Sequence, residues 1–241
     1  MARKPIRSEL GWSTADRIVV RGKDLPGEIL GTLNLGDMAF FELTGRVPAP
    51  KESALFNAMA VTLVEHGVTP SALAARLTFL GAPEAMQAAV AAGLCGLGSV
   101  FVGSMEGAAK MLSEAVARGD DAQQVISQQK RIPGLGHHLH KPIDPRAVRL
   151  FEIGRETGFY GKHCALMEAI GKEKGMVVNA TGAIGALACE LGLDWRAVRG
   201  IGVMARAVGL VGHLLEESRE PMAETIWHDV EEQATKHIRK T

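Results

Sequence analysis

The sequence RIPGLGHHLHKPIDPR occupies residues 131–146 and sets three imidazoles, a lysine and two arginines around a Gly-Leu-Gly turn. Pro133, Gly134 and Gly136 interrupt any helix and let the backbone approach a ligand, so His137 is expected at the mouth of a turn. The planar guanidinium of Arg146 suits a carboxylate, whereas the ammonium of a lysine suits a phosphate as a point charge. The stretch therefore predicts a site for a small polyanion.

Two other interpretations of this stretch stay open at this point. A basic loop can be merely solvated, with histidines that have no chemical role. The three histidines His137, His138 and His140 could also bind a metal ion, but adjacent residues on a turn point in different directions and no carboxylate or cysteine completes a ligand set. We therefore expect no metal.

Composition narrows the class of protein. The chain has 241 residues, 27 basic and 27 acidic, and 46% hydrophobic residues, enough for one large or two modest domains. No charge excess suggests a nucleic acid or a membrane surface as a partner. Cys95, Cys164 and Cys189 are an odd number without Cys-x-x-Cys spacing, which predicts neither disulfides nor a zinc site. The basic start lacks an apolar run, so a secretory signal is not expected and a cytoplasmic location is predicted.

The dominant hydrophobic period is helical, which predicts a mainly α protein. Short strands are expected at Ile18–Val20 and Ile29–Leu33. The uncharged segment from Ala85 to Met105 is long enough to span a bilayer, but its small residues favour a buried helix. The predicted helices are Leu55–Glu65, Ser71–Leu80, Pro83–Leu94, Glu106–Arg118, Pro145–Thr157, His163–Lys172, Gly182–Leu191 and Asp194–Glu217.

The stretch 131–146 resembles the active-site loop of the citrate synthase superfamily, a Pro-Gly-Phe-Gly-His turn followed by Asp-Pro-Arg. The resemblance implies that His137 hydrogen-bonds the keto or hydroxyl oxygen of the substrate and that Arg146 binds a carboxylate. It also implies that Lys141 reaches a phosphate of coenzyme A. The turn residues Pro133, Gly134 and Gly136 would then approach the coenzyme A moiety.

Further matches extend this resemblance along the chain. Glu65-His66-Gly67 is similar to the family element whose histidine is a second ligand of the oxaloacetate oxygen, and Arg206-Ala-Val-Gly209 followed by His213 is similar to a late helix whose arginine binds another carboxylate. The resemblance implies a mainly α, two-domain citrate synthase-like fold, shortened, with a small helical domain at 104–200 inserted into a large one formed by 1–103 and 201–241. The site would lie at their junction.

Two departures from the family pattern favour cleavage. Phe101 stands where citrate synthases have a catalytic histidine, as in citryl-CoA lyases and the C-terminal domain of ATP-citrate lyase. Asn179-Ala-Thr181-Gly stands where the family has Asn-Val-Asp-Gly, so the aspartate that moves a proton at the acetyl methyl is absent. A threonine hydroxyl is too weak a base for that step, and loss of a general base typically costs roughly 10²- to 10⁴-fold in rate. Asn179, the Thr181 hydroxyl or a water remain as proton donors to the enol.

The resemblance thus implies an enzyme that cleaves citryl-CoA, or a related 3-hydroxyacyl-CoA, to acetyl-CoA and oxaloacetate. Coenzyme A enters as part of the substrate. The alternative is a relative that keeps a dicarboxylate and coenzyme A pocket without the chemistry. The family also implies a homodimer, in which Arg219 is the nearest candidate for an arginine given to the partner's site, and a separate citryl-CoA synthetase could supply the substrate.

Overall fold

The computed structural model describes residues 5–137 and 139–239. The chain divides into two compact units, residues 1–58 and 59–241. Helices dominate both units, which confirms the predicted mainly α class. The predicted inserted domain at 104–200 lies within the second unit, and its boundaries stay a prediction.

The first unit contains a small antiparallel sheet in the order β1-β2-β3. Val19 of the middle strand pairs with Trp12 on one side and with Asp24 on the other, and its side chain is buried. Two helices follow the sheet. The elements are β1 Gly11–Ser13, β2 Ile18–Val20, β3 Lys23–Asp24, α1 Leu35–Thr44 and α2 Pro50–Val64, the last of which runs into the second unit.

The predicted strand at Ile18–Val20 is confirmed, but the one at Ile29–Leu33 is wrong. A five-residue π-helix, Leu25–Ile29, takes its place and is closed by a hydrogen bond from the Leu30 N–H to the Leu25 carbonyl. The Asp24 carboxylate accepts the Gly27 N–H and caps the helix start. A local side-chain cap therefore outweighs the strand propensity of the β-branched Ile29.

The second unit consists of nine helices over the described residues. Each of the eight predicted helices is present, with ends shifted by a few residues, whereas α1, α6 and α11 were not predicted. The signal for α6 is a capping box of Asp121 and Gln124, which each accept the other's backbone N–H. The helices are α3 Pro70–Gly81, α4 Met86–Cys95, α5 Gly103–Arg118, α6 Ala122–Gln128, α7 Pro145–Thr157, α8 Lys162–Lys174, α9 Ala180–Glu190, α10 Trp195–Glu217 and α11 Ala223–Thr235.

Side-chain caps set the starts of α7 and α9 and so place Arg146 and Thr181 on first turns. Asp144 caps α7 ahead of a proline at the first helical position, and Asn179 caps α9 by accepting the Gly182 N–H. The last turns of α5, α7 and α8 end at a left-handed glycine. These signals are local, which explains why the helix starts could be predicted closely.

Small residues allow α5 and α9 to pack very closely. A Cβ added at Gly185 would lie 2.8 Å from the Ala108 Cβ and from the Met105 carbonyl oxygen. A second apolar cluster joins α3, α4 and α10 through Ala72, Ala89 and Leu210. The core of this unit is therefore built from alanine and glycine contacts as much as from large side chains.

The uncharged segment 85–105 does not form the single buried helix that was predicted. It divides into α4 and the first residues of α5, with a break at 96–102 where Gly103 donates its N–H to the Gly98 carbonyl. Among the described residues, α10 is the one helix long and apolar enough to span a membrane by length and composition. Half of that window is buried, and α10 carries buried polar residues, as a core helix does.

Candidate functional site

A cavity of about 1020 Å³ in the second unit brings together most of the predicted site residues. Its described lining contains no carboxylate, although the whole chain carries equal numbers of acidic and basic residues. The cavity is therefore a local region of positive charge suited to an anion. Its polar lining side chains are Thr62, His66, Thr69, Ser71, Ser99, Ser104, Arg131, His137, Arg146, Asn179, Thr181 and Arg206.

The glycine turn lies directly against the start of α9. Gly134 has φ +85°, and a Cβ added there would lie 2.4 Å from the Gly182 Cα. The Asn179 N–H donates to the Gly134 carbonyl at 3.0 Å, and the Gly136 N–H donates to the Val177 carbonyl at 2.7 Å. The Asn179 side chain also donates to the Gly136 carbonyl. These contacts fix the position of the turn relative to α9.

The protonation form of His137 follows from its hydrogen bonds. Its Nδ1 accepts the backbone N–H groups of Leu139 and His140 at 3.2 and 3.1 Å, so in the neutral imidazole the proton lies on Nε2. That Nε2 lies 3.3 Å from Nη2 of Arg146, which is also a donor. An oxygen of an anionic ligand bound beside these two atoms would accept from both.

Arg146 is held in the cavity wall by Asp144. The Asp144 carboxylate is fully buried, pairs with Nε and Nη2 of Arg146 at 3.0 and 2.9 Å and accepts the Ala180 N–H. Burial raises the pKa of Asp144, but the ion pair and the N–H donors outweigh it and hold the pKa below its usual value. The arginine is thereby preorganised and tied to the start of α9.

The backbone at His66 is held by the preceding residue. The Glu65 carboxylate accepts the N–H groups of His66 and Gly67 at 2.8 and 2.6 Å. The His66 ring lies 6.0 Å from the His137 ring, centroid to centroid. Two imidazoles therefore face the same cavity, as the sequence predicts.

Arg206 is the most unusual polar group of the cavity. Its side chain is 8% exposed, and its Nε and Nη1 atoms have no hydrogen-bond partner among the described residues. Burial lowers the pKa of its guanidinium, and the negative charge of Glu65 partly offsets that effect. Burying an arginine with unsatisfied donors lowers the stability of the protein unless a ligand supplies the missing acceptors.

Three polar side chains form a chain of hydrogen bonds at the starts of α5 and α9. Ser104 Oγ donates to Thr181 Oγ1 at 2.9 Å, and Thr181 Oγ1 donates to Asn179 Oδ1 at 2.6 Å. Phe101 lines the cavity nearby with 53% of its surface exposed. The Phe101 ring has no hydrogen-bond donor to offer a ligand oxygen.

Two predicted residues lie elsewhere. Lys141 and Arg219 are exposed and are not among the described residues that line the cavity. Their predicted roles toward coenzyme A and a partner chain stay predictions. Ser104 and Asp144 also contribute to the site but were not predicted from the sequence. The N-cap position of Asp144, two residues before Arg146, is a signal that indicates its role.

His66, His137 and His140 come close enough that one nitrogen of each lies within 4.8 Å of the others. A metal-bound imidazole normally donates from its second nitrogen to an acceptor. In His137 that nitrogen, Nδ1, instead receives two N–H donors, and the Arg146 guanidinium lies beside Nε2. These features oppose a cation here. His138 of the predicted cluster lies outside the described residues.

Comparison with known proteins places this site in a class. The chain belongs to the citrate synthase family, because the model of the citrate synthase C-terminal domain matches residues 31–227. Citrate synthase 2 of Bacillus subtilis (strain 168) is 29% identical over 119 residues, which are 48% of this chain and 32% of the relative. The match thus spans about a third of that curated relative.

Solved structures narrow the resemblance further. The citryl-CoA lyase from Hydrogenobacter thermophilus is 34% identical with a TM-score of 0.83, and the alignment covers 89% of this chain and 87% of that one. The ATP citrate lyase from Methanothrix soehngenii, in complex with citrate and coenzyme A, is 21% identical with a TM-score of 0.75, covering 90% and 40%. The citrate synthase from Thermotoga maritima MSB8 is 22% identical with a TM-score of 0.64, covering 79% and 55%. The predicted shortened citrate synthase-like fold is confirmed.

Proposed function

We propose that this protein cleaves citryl-CoA, or a related 3-hydroxyacyl-CoA, to acetyl-CoA and oxaloacetate. The observation that carries the proposal is the buried guanidinium of Arg206, which has two unsatisfied donors in a cavity without a described carboxylate. A carboxylate of the substrate would complete it. Arg146 would bind a second carboxylate from the other side of the two histidines.

The hydrogen bonds of His137 indicate that His137 and His66 have different roles in the cleavage step. Because Nδ1 of His137 is engaged by two backbone N–H groups, the neutral ring offers only the Nε2 proton to a substrate oxygen. His137 would therefore hold the oxygen that becomes the keto group of oxaloacetate. His66 would take the hydroxyl proton as the carbon–carbon bond breaks, and the bonding electrons pass to the thioester as an enolate.

The enolate carbon must then receive a proton. The Thr181 hydroxyl already donates to Asn179, and the Asn179 amide is directed at the Gly136 carbonyl. Water therefore remains as the donor, and the proton that His66 holds returns to water to balance the step. An enolate is basic enough to be protonated by water, which is why cleavage tolerates the missing aspartate better than condensation does.

Coenzyme A would extend along the turn 133–136 toward Lys141 and Lys172. A second cavity, of about 450 Å³, is lined by Pro142 and Ile143, which directly follow Lys141, and by Lys172. The ammonium groups of Lys141 and Lys172 would attract the phosphates of the coenzyme as point charges. Both residues are exposed, so their contribution should weaken as salt rises.

The alternative function is a non-catalytic module that binds a dicarboxylate and coenzyme A. The fixed orientation of the Thr181 hydroxyl favours it, because that proton is not available to a ligand. The proposed homodimer and a separate citryl-CoA synthetase partner rest on the family resemblance, and the cytoplasmic location rests on the sequence alone. Sedimentation of the purified chain tests the dimer.

Release of oxaloacetate from citryl-CoA by the purified chain tests the proposed function, with Arg206→Lys and Arg219→Lys as a matched pair. We expect Arg206→Lys to raise KM by at least about tenfold, because an ammonium cannot replace a bidentate guanidinium. Arg219 does not line this cavity, so the same rise in KM for Arg219→Lys would indicate that this arginine completes the site of a partner chain. If the wild-type chain binds citrate and coenzyme A but releases no oxaloacetate, the non-catalytic function is correct instead.

A further inference from the structure

We propose that the Ser104 hydroxyl donates a hydrogen bond to the thioester oxygen of the acyl-CoA substrate and stabilises the enolate oxygen formed on cleavage. This inference rests on the proposed function and adds a residue to it. Ser104 lines the cavity on the first turn of α5, beside Phe101 and against Thr181.

The order of the hydrogen bonds determines which hydroxyl can reorient. Asn179 donates from its amide nitrogen to the Gly136 carbonyl, and its Oδ1 accepts the Gly182 N–H, so the oxygen must face Thr181. Thr181 therefore has to donate to Asn179 and can only accept from Ser104. Of the two hydroxyl protons, that of Ser104 is the one that can turn toward a ligand.

When the Ser104 hydroxyl reorients, no hydrogen-bond donor of Ser104 or Thr181 is left unsatisfied. When Ser104 turns to a ligand, Thr181 loses a donor to one of its lone pairs but keeps its own hydrogen bond to Asn179. The remaining protein acceptor near Ser104 is the Phe101 carbonyl, at the long distance of 3.4 Å. An anionic oxygen in the cavity is a stronger acceptor than either a hydroxyl or this distant carbonyl.

The position of Ser104 is also favourable for negative charge. The hydrogen bond between Ser104 and Thr181 joins the first turns of two helices, and α5 is 16 residues long and lacks a side-chain cap at Val102. Helix N-termini carry partial positive charge and stabilise anions. The buried, unpartnered donors of Arg206 line the same cavity and independently indicate an anionic ligand.

These features together describe a site for a developing oxyanion. Phe101 supplies no donor where the family pattern has an imidazole, whereas the cleavage step still places negative charge on the thioester oxygen. A preorganised donor at such an oxygen typically changes the rate by roughly 10²- to 10³-fold. Ser104 is the described hydroxyl best placed to supply it.

Binding of carboxymethyl-CoA tests the assignment, because its carboxylate mimics the enolate oxygens. We would titrate the full chain by calorimetry, in the presence of oxaloacetate, with carboxymethyl-CoA and with coenzyme A itself. Ser104→Ala should weaken carboxymethyl-CoA binding by about 10- to 100-fold and coenzyme A binding by less than about twofold. Ser113→Ala, a serine of the same helix α5 that does not line the cavity, is the matched control and should change neither affinity.

Thr181→Val separates a direct role of Ser104 from an indirect one. If Ser104 only positions Thr181, the valine variant should lose as much affinity for carboxymethyl-CoA as Ser104→Ala does. If Ser104 contacts the ligand, Thr181→Val removes the acceptor that competes for the Ser104 hydroxyl. The valine variant should then lose less affinity for carboxymethyl-CoA than Ser104→Ala does. Equal losses in the two variants, or an unchanged affinity in Ser104→Ala, would overturn the proposal.

The result remains informative if the proposed reaction is absent. A wild-type chain that binds carboxymethyl-CoA but does not cleave citryl-CoA would refute the proposed function, while the comparison of Ser104→Ala with Ser113→Ala would still decide the role of the hydroxyl. A wild-type chain that binds neither coenzyme A nor carboxymethyl-CoA would overturn both proposals.

Discussion

The Arg76 guanidinium lies 2.9 Å from Nδ1 of His213 through its Nη2 atom and 3.2 Å from it through Nε. Arg76 is fully buried and His213 is nearly so. Because Nδ1 accepts, the His213 proton lies on Nε2, which is 3.0 Å from Glu65. Glu65 in turn holds the backbone of His66. A hydrogen-bond network therefore leads from buried Arg76 and His213 in the core, through the half-exposed Glu65, to the cavity.

Removal of the imidazole should disturb both stability and the site. We expect His213→Ala to lower the free energy of unfolding by about 3 kcal/mol, because Arg76 loses an acceptor in a buried position. Citrate binding should weaken as well, since Glu65 loses a donor. Urea unfolding and citrate titration measure the two effects.

An exposed histidine provides the control for that experiment. His228 pairs with Glu224 at 3.9 Å on the surface of α11. His228→Ala should therefore change the free energy of unfolding by less than about 0.5 kcal/mol. Equal losses in the two variants would contradict a specific role for the hydrogen-bond network.

Gly182 should tolerate no larger residue, although alanine is the better helix former. A Cβ at this position would lie 2.4 Å from the Gly134 carbonyl oxygen, so Gly182→Ala must displace the turn 133–136. We expect a loss of about 2 kcal/mol of stability and a severe loss of citrate affinity. Thermal unfolding measures the loss of stability, and calorimetry measures the loss of citrate affinity.

Gly212 offers the matched control, because it lies within α10 and a Cβ added there would meet no atom within 4 Å. Gly212→Ala should stabilise the chain by up to about 1 kcal/mol through helix propensity alone. If Gly182→Ala also stabilised the chain, the turn 133–136 and the start of α9 would not be in the close contact described.

Acid should destabilise the protein partly through Glu217. Burial raises the pKa of this carboxyl, but the N–H groups of Ala223 and Met222 and the ion pair with Arg76 outweigh it, so the folded-state pKa lies below the usual value. The group therefore contributes stability above its unfolded pKa and loses it as pH falls through the folded pKa. Glu217→Gln should be less stable at pH 7 and lose less stability than wild type between about pH 5 and 3. Urea unfolding at several pH values tests this; parallel curves would exclude Glu217 as a contributor.

A carboxylate at position 181 should raise turnover. Thr181→Asp places a base at the start of α9, where Ser104 can donate to it and the helix N-terminus favours negative charge. We expect citryl-CoA turnover and acetyl-CoA deprotonation to rise by at least about tenfold, since a general base contributes on the order of 10² or more. Exchange of the acetyl methyl protons in deuterated water measures the second effect. Unchanged exchange with substrate still bound would show that position 181 does not face the acetyl group.

The sequence predicts the helices of the second unit well because their signals are local. Asp144 before Pro145 marks a helix start by cap and proline chemistry alone. The π-helix at Leu25–Ile29 was missed because Pro26 and Gly27 are typical of a turn and its helical cap is a contact of Asp24 with the Gly27 N–H. The helix α11 was not predicted; it is rich in charged residues, and Ala223 is the one of its residues that is buried.

The site was predicted less completely than the fold. His66, His137, Arg146 and Arg206 follow from residue type and family spacing, and the structure brings all four to one cavity. The role of Asp144 as the partner of Arg146, and the order of the hydrogen bonds from Ser104 through Thr181 to Asn179, depend on contacts between distant segments. Such contacts leave no periodic signal in a single sequence.

The cavity without a described carboxylate also has a kinetic consequence. The chain as a whole is formally neutral, so its long-range field is weak, but arginines and histidines concentrate positive potential at one opening. A polyanionic thioester is drawn toward such an opening before any specific contact forms. Capture of the substrate should therefore be rapid in dilute buffer and slow steeply as salt screens the field.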